Sequence, residues 1–426
     1  MKPLSTLSAG LAQAGWHCTF AATLLIAIVI GSRSAFGLFL SPIESATGLG
    51  WATIGFAAAL GQLGQGVAQP LVGLLAQRHG ASRVIAAGVL GFALATALLP
   101  AAADAAVLAT LILLGGMAGT AMSSIAMLLG EVTRRVPASR QALAVGIIGA
   151  GGSAGQLLFG PMTQATIAAA GWTSALWLTS AVTLLALPLS LVFRRPAPTT
   201  AMTTAAAAAA SAAPEAAAGA ASDTRIAPAL RQRTFWLIAC GFAICGFHMS
   251  FLTSHMPGFI ERCGLPASLA GAWLALLGIA NIAGSLATGV LLKRCRPATL
   301  LMALHGLRAL FIAGVLALPP TEAVMLIFAI SMGATYMAAL PATTMLVTQT
   351  FGAHRLAALF GLVMLLHQLG SFAGVWLGGL AAESLAGYRA VWLADVGLAL
   401  LAAALHLPFR QPQVARAGFP ALARAA

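Results

Sequence analysis

The chain has 426 residues, of which 60% are hydrophobic and only 7% charged, and its mean hydropathy is +0.95. Soluble domains carry about 25% charged residues, so a water-soluble fold is excluded and most of the surface must face lipid. A net charge of +13 could fit a nucleic-acid binder, but the basic residues lie in short loops between apolar stretches, so no nucleic-acid partner is expected.

Apolar stretches of spanning length, roughly 18–25 residues each, are predicted at 16–40, 52–75, 82–101, 105–129, 140–166 and 173–193, and again at 234–260, 268–292, 298–318, 323–347, 357–381 and 390–409. The expected fold is therefore an all-α, polytopic membrane protein with twelve spans. A low-complexity Ala/Thr/Ser segment at 201–221 divides them. The organisation expected is a six-helix half (1–193), a cytoplasmic linker (194–233), and a second half with a short tail (234–426).

With the N-terminus placed in the cytoplasm, 18 of the 22 Lys and Arg fall on that side, including Lys2, Arg78, Arg83, Arg134, Arg135, Arg140, Arg194, Arg195, Arg225, Arg294, Arg355, Arg416 and Arg424. Arg262 and Arg389 fall opposite, with Glu44, Asp104, Glu261, Glu322 and Glu383. That is the positive-inside pattern, and it places both termini in the cytoplasm. The first apolar stretch is too long for a cleavable signal. The Arg- and Ala-rich composition points to a bacterial inner membrane. Five scattered cysteines, Cys18, Cys240, Cys245, Cys263 and Cys295, form no CxxC pair and are read as small packing residues.

Internal similarity supports two halves. Gly73-Leu-Leu-Ala-Gln77-Arg78 recurs as Gly289-Val-Leu-Leu-Lys293-Arg294, displaced by 216 residues. Arg140-Gln-Ala-Leu-Ala-Val-Gly146 recurs as Arg355-Leu-Ala-Ala-Leu-Phe-Gly361, displaced by 215. Parallel halves related by an axis along the membrane normal are a transporter architecture with the substrate site at mid-membrane.

The loop from Gly73 through Gln77, Arg78 and Gly80 to Arg83 resembles the signature between helices 2 and 3 of the major facilitator superfamily. The family's pattern has Asp where Gln77 stands, so the interdomain latch attributed to that Asp is expected to be weaker here. Ala144-Val-Gly146 followed by Gly149, Ala150, Gly151, Gly152, Ser153 and Gly155 resembles helix 5 of the monocarboxylate porter branch; Gly15-Trp16 is a fainter echo of its helix 1. Those porters generally carry a charged residue in helix 8, where this chain has Asn281. Independently of the family, the small residues from Gly146 to Gly160 permit close helix packing.

Ionisable groups at membrane depth usually have a partner or a function. Arg33 lies in helix 1, and no carboxylate occurs inside the first six spans. It either snorkels to the outer interface or faces the central cavity and receives a substrate carboxylate through its guanidinium fork. Gln62, Gln65 and Gln69 share one face of helix 2 and serve either helix packing or the aqueous path. Asn281 and Tyr336, with Thr343 and Thr344, are further cavity candidates, and Pro341 would permit a bend in helix 10. His248 and His255 on helix 7, and His367 on helix 11, are either neutral helix-bonding groups or proton-coupling groups. Arg308 in helix 9 is expected to pair with Asp395 in helix 12, as a structural ion pair.

There is no Gly-Lys-Ser/Thr phosphate loop, no metal-ligand spacing and no catalytic constellation, so neither cofactor nor enzymatic activity is expected. The sequence reads as a secondary transporter of a small organic anion, a monocarboxylate by resemblance, plausibly with proton symport. Arg33 would hold the anion, the polar residues Gln62, Gln65, Asn281 and Tyr336 would complete the site, and the protein would act as a monomer. An exporter of drugs or amphipathic compounds is the alternative within the class, and a transport-inactive sensor the alternative outside it.

Overall fold

A computed structural model describes residues 4–194, 226–352, 355–383 and 385–410. Most of the expected linker therefore lies outside the described residues, as do Lys2, Arg195, Arg225, Arg416, Arg424 and both termini.

The described chain is helical throughout and contains no strand. Helix α1 (Leu4–Ser34) tightens into a 3₁₀ turn (Ala35–Phe39) and continues as Leu40–Thr47. Next come α2 (Trp51–His79), α3 (Ala81–Leu98) and α4 (Ala105–Ser123), the last extended by Ile125–Thr133. The segment Ala138–Leu185 is one continuous run broken only at Gly171, whose φ of 83° only glycine adopts readily. It supplies α5 (138–170) and α6 (172–185). The second half has α7 (Arg233–Arg262), α8 (Ser268–Leu291), α9 (Pro297–Ala317), α10 (Glu322–Tyr336, resuming at Ala339–Phe351), α11 (Leu356–Ala381) and α12 (Leu385–Leu405).

Ten stretches among the described residues are long and apolar enough to cross a membrane. The difference from twelve has two sources: α5 and α6 merge into one stretch, and α2 is absent from the ten. Its three glutamines and its glycines dilute the apolar signal, yet the helix itself is complete.

Each half uses the same packing pairs. In the first, α1 lies against α5 and α2 against α4; in the second, α7 lies against α11 and α8 against α10. Glycines set these contacts. A Cβ on Gly151 would sit 2.6 Å from the Thr23 carbonyl oxygen, one on Gly155 would overlap the Ala27 carbonyl, and one on Gly333 would meet Leu277 O at 2.5 Å. Gly155→Val is accordingly expected to destabilise the protein by about 1–3 kcal/mol, the usual range for overpacking. A lower thermal midpoint in detergent is the readout, and an unchanged midpoint would refute the close approach of α1 and α5.

Several glycines mark close approaches between the halves among the described residues. Gly37 abuts the backbone of Thr253 and Ser254, Gly55 abuts Gly379, and Gly278 abuts Ser153 and Leu157. The end toward which they lie carries Glu44, Asp104, Glu261 and Glu322, and there the Arg262 guanidinium lies 5.2 Å from the ring centre of Trp51. At the opposite, arginine-rich end, Gly73, Gly146, Gly149, Gly289 and Gly361 have nothing within 4 Å of a would-be side chain. The close approaches between the halves that these glycines mark therefore lie toward the acidic end.

The signature loop follows the same geometry. Gly80 turns the chain from α2 into α3 with φ of 85°. Gln77, Arg78, Arg83, Arg140 and Arg294 are exposed. Cys240 and Cys295 are exposed too, which corrects their reading as core residues; Cys18 and Cys245 are buried.

Candidate functional site

Arg33, in the last turn of α1, points into the bundle toward α2. Its Nη2 donates to Gln62 Oε1 of α2 at 2.5 Å, while its Nε is shielded from solvent and has no partner. Among the described residues no carboxylate forms an ion pair with it. Arg33 heads a cavity of about 100 Å³ lined by Phe36, Phe39, Phe92, Gln62, Gln65 and Thr96, with Ser254 contributed by α7. The chemistry of the wall is one cation, a few neutral polar groups and aromatic rings. Such a pocket suits a small anion with an apolar body.

The second half reaches this cavity through a polar chain. Gln368 Nε2 on α11 donates to Gln65 Oε1 at 3.2 Å, and Gln368 Oε1 lies 3.2 Å from His367 Nδ1. Ser371 Oγ donates to the same Gln368 oxygen at 3.4 Å. Thus two of the three glutamines predicted on one face of α2 point to protein partners, one to Arg33 and one across to α11.

Asn281 does not line the Arg33 cavity. It is fully buried, and its Nδ2 donates to Ser153 Oγ at 2.9 Å and Gln156 Oε1 at 3.2 Å on α5. Its Oδ1 accepts from the Met337 N–H at 3.0 Å and from Ser285 Oγ at 3.5 Å. With donor and acceptor both occupied, it clasps α5, α8 and α10 together. Tyr336 likewise does not line the Arg33 cavity; it is buried, and its hydroxyl donates to Met249 O at 3.3 Å.

The expected pairing of Arg308 with Asp395 is also corrected. Helix α10 breaks between Tyr336 and Ala339 because Pro341 has no N–H for the Met337 carbonyl and its ring crowds that turn. The break leaves orphan backbone groups inside the membrane. Asn281 takes the Met337 N–H; buried Arg308 takes the carbonyls, donating through Nη2 to Thr335 O and, at 2.9 Å, to Tyr336 O. Its Nη1 lies 3.2 Å from Cys245 Sγ. A cation at the end of a helix segment also complements its dipole. Arg308 is thus committed to the α10 break, and Asp395 faces His248 instead, with Oδ1 2.5 Å from Nδ1.

The three candidate histidines differ in their freedom. His255 Nε2 is 2.8 Å from Val375 O of α11, and His367 packs its ring 4.6 Å from Phe242 and bonds Gln368. His248, only 1% exposed, leaves Nε2 without a partner while Nδ1 faces a carboxylate. Sequence reasoning missed the roles of Gln156 and of the aromatic wall Phe36, Phe39 and Phe92. Gln156 carried a usable signal, being an amide at membrane depth beside a glycine run. The phenylalanines carried none, since apolar residues are the background of every span.

Twelve helices in two like halves define a multi-pass membrane protein. Residues 22–374 match the sequence profile of the Major Facilitator Superfamily, and the chain belongs to that superfamily. No curated protein matches the sequence. The fold is similar to that of the D-xylose–proton symporter (14% identity, TM-score 0.72, covering 92% of this chain and 97% of that one). It is similar also to the nucleoside transporter NupG (14% identity, TM-score 0.69, 93% and 99% covered). A bacterial homolog of the human lysosomal transporter Spinster, in an inward-facing and unoccupied conformation, aligns at 17% identity and TM-score 0.65, with 92% and 96% covered. The protein is a major facilitator transporter, not an enzyme.

Proposed function

We propose that this transporter moves a small organic anion, a monocarboxylate with an apolar body, by alternating access coupled to protons. The observation that carries the reading is the half-buried guanidinium of Arg33, with a solvent-shielded and unpartnered Nε, beside a largely apolar cavity. A carboxylate there would satisfy the open donor and neutralise a charge that no carboxylate meets among the described residues. With the basic end taken as cytoplasmic, in a bacterial inner membrane, the arrangement is the inward-facing state, the acidic-end contacts forming the closed gate.

The coupling proton is assigned to His248 and Asp395, since His248 alone of the three histidines combines a free ring nitrogen with a facing carboxylate. One helical position along, Met249 O accepts from Tyr336 at the α10 break, and Ser254 of the same helix lines the Arg33 cavity. A change of charge at His248 therefore has a short route both to the break and to the site. A proton symporter among the structural neighbours is in keeping with this coupling.

The test is uptake of labelled small carboxylates into proteoliposomes, with and without an inward proton gradient. The unmodified protein is expected to show gradient-stimulated uptake. His248→Gln is expected to lose at least most of that stimulation while retaining substrate exchange without a gradient. Stimulation that survives in His248→Gln would move the proton elsewhere. Folded protein that takes up no carboxylate would replace the whole reading with an exporter of amphipathic compounds.

A further inference from the structure

A second cavity, of about 760 Å³, lies beside the polar site and shares Ala95 and Leu111 with its lining. It is a slot between α2 and α3 with α4 as its floor, and it opens on the membrane side. Leu71 and Leu75 of α2, Leu94 and Leu98 of α3, and Leu114 of α4 line it, and these five are 43–61% exposed. The slot exists because α3 leans on α4 far more than on α2. Gly88 lets the two backbones touch, since a Cβ there would lie 2.8 Å from the Ala118 carbonyl oxygen.

The walls are apolar except at one end, where His79 and Arg83 close the slot. Both are exposed, and neither makes a hydrogen bond or ion pair among the described residues. The neighbouring Gln77 offers no neutralising charge, and the nearest basic-end carboxylate of α4, Glu131, is engaged by Arg134 and Arg135. From Arg83 to Leu98 the slot follows α3 for about 22 Å at 1.5 Å per residue. That exceeds the ~15 Å depth of one leaflet's hydrocarbon.

We propose that this slot is a binding site for an anionic phospholipid of the leaflet at the basic end. One acyl chain fills the leucine-lined slot, and the phosphate sits between Arg83 and His79. Charge decides the headgroup: two unpaired basic groups at the interface attract an anionic lipid, and a zwitterionic one returns part of that attraction through its own cation. Shape decides the chain: a narrow, polar-free groove of leaflet depth fits a single extended hydrocarbon and leaves no hydrogen-bonding group for a peptide.

Native mass spectrometry of the full-length, delipidated protein with equimolar dioleoylphosphatidylglycerol and dioleoylphosphatidylcholine tests the site. The unmodified protein is expected to retain the glycerol lipid at least fivefold over the choline lipid. The double variant Arg83→Gln, His79→Gln should bring that ratio to near one. Ala87→Trp, which fills the slot but keeps both basic groups, should lower retention of the glycerol lipid severalfold. Equal retention of the two lipids by the unmodified protein would overturn the proposal, as would a preference that survives both sets of substitutions. Full displacement of the lipid by millimolar inorganic phosphate would show that only the headgroup is recognised, and would overturn the acyl-chain site.

Discussion

Arg33→Ala is expected to reduce uptake of small carboxylates by roughly ten- to a hundredfold, the equivalent of about 1.5–3 kcal/mol for a lost charge-assisted hydrogen bond. The reasoning starts from what Arg33 lacks. Its Nη2 is held by the neutral Gln62 amide, its Nε is unpartnered, and no carboxylate pairs with it among the described residues. An anion is the missing partner, so removing the guanidinium removes the binding term without orphaning any protein carboxylate. Arg33→Lys keeps the charge but not the fork and should fall between the two. Uptake into proteoliposomes, normalised to monodisperse protein, is the measurement. Unchanged uptake in Arg33→Ala would remove Arg33 from the substrate site.

The second large effect is on stability. Arg308→Ala should destabilise the protein by about 3–5 kcal/mol, because it opens a cavity and leaves the Thr335 and Tyr336 carbonyls unpaired in a water-free interior. Arg308 is 1% exposed and closes the carbonyl side of the α10 break, as Asn281 closes its N–H side. Arg308→Lys retains a charge that can reach one carbonyl and should recover part of the loss. A thermal unfolding curve in detergent measures this directly. A midpoint unaffected by Arg308→Ala would mean that the break is satisfied some other way. Asp395→Asn separates the two functions of this region. It leaves the break intact, so it should spare stability far more than Arg308→Ala while impairing proton stimulation.

These two arginines show what could and could not be seen in the chain. Both stand out in sequence for the same reason, a charge in an apolar run, where its cost demands a partner. The sequence offered Arg308 the one membrane carboxylate of the second half, Asp395. In space, however, the break in α10 presents backbone carbonyls that no sequence pattern displays as acceptors, and those carbonyls claim the guanidinium. Asn281 reads in sequence as a ligand group for the same reason, since the Met337 N–H that it accepts from is not visible until the break in α10 is known. The aromatic wall of the Arg33 cavity was invisible because phenylalanine has no contrast against a hydrophobic background.

The sequence by itself determined the solvent, the helical class, the twelve spans, the doubled architecture and the asymmetry of charge between the two ends. Each of these follows from composition or period, properties that a lipid environment imposes along the chain and that need no contact to be read. Only the tertiary structure decided which end holds the close approaches between the halves, that Arg33 turns inward to Gln62, and that His248 meets Asp395. Those outcomes depend on glycine-set approaches between helices distant in sequence, where a displacement of one side chain's width changes which polar group finds a partner.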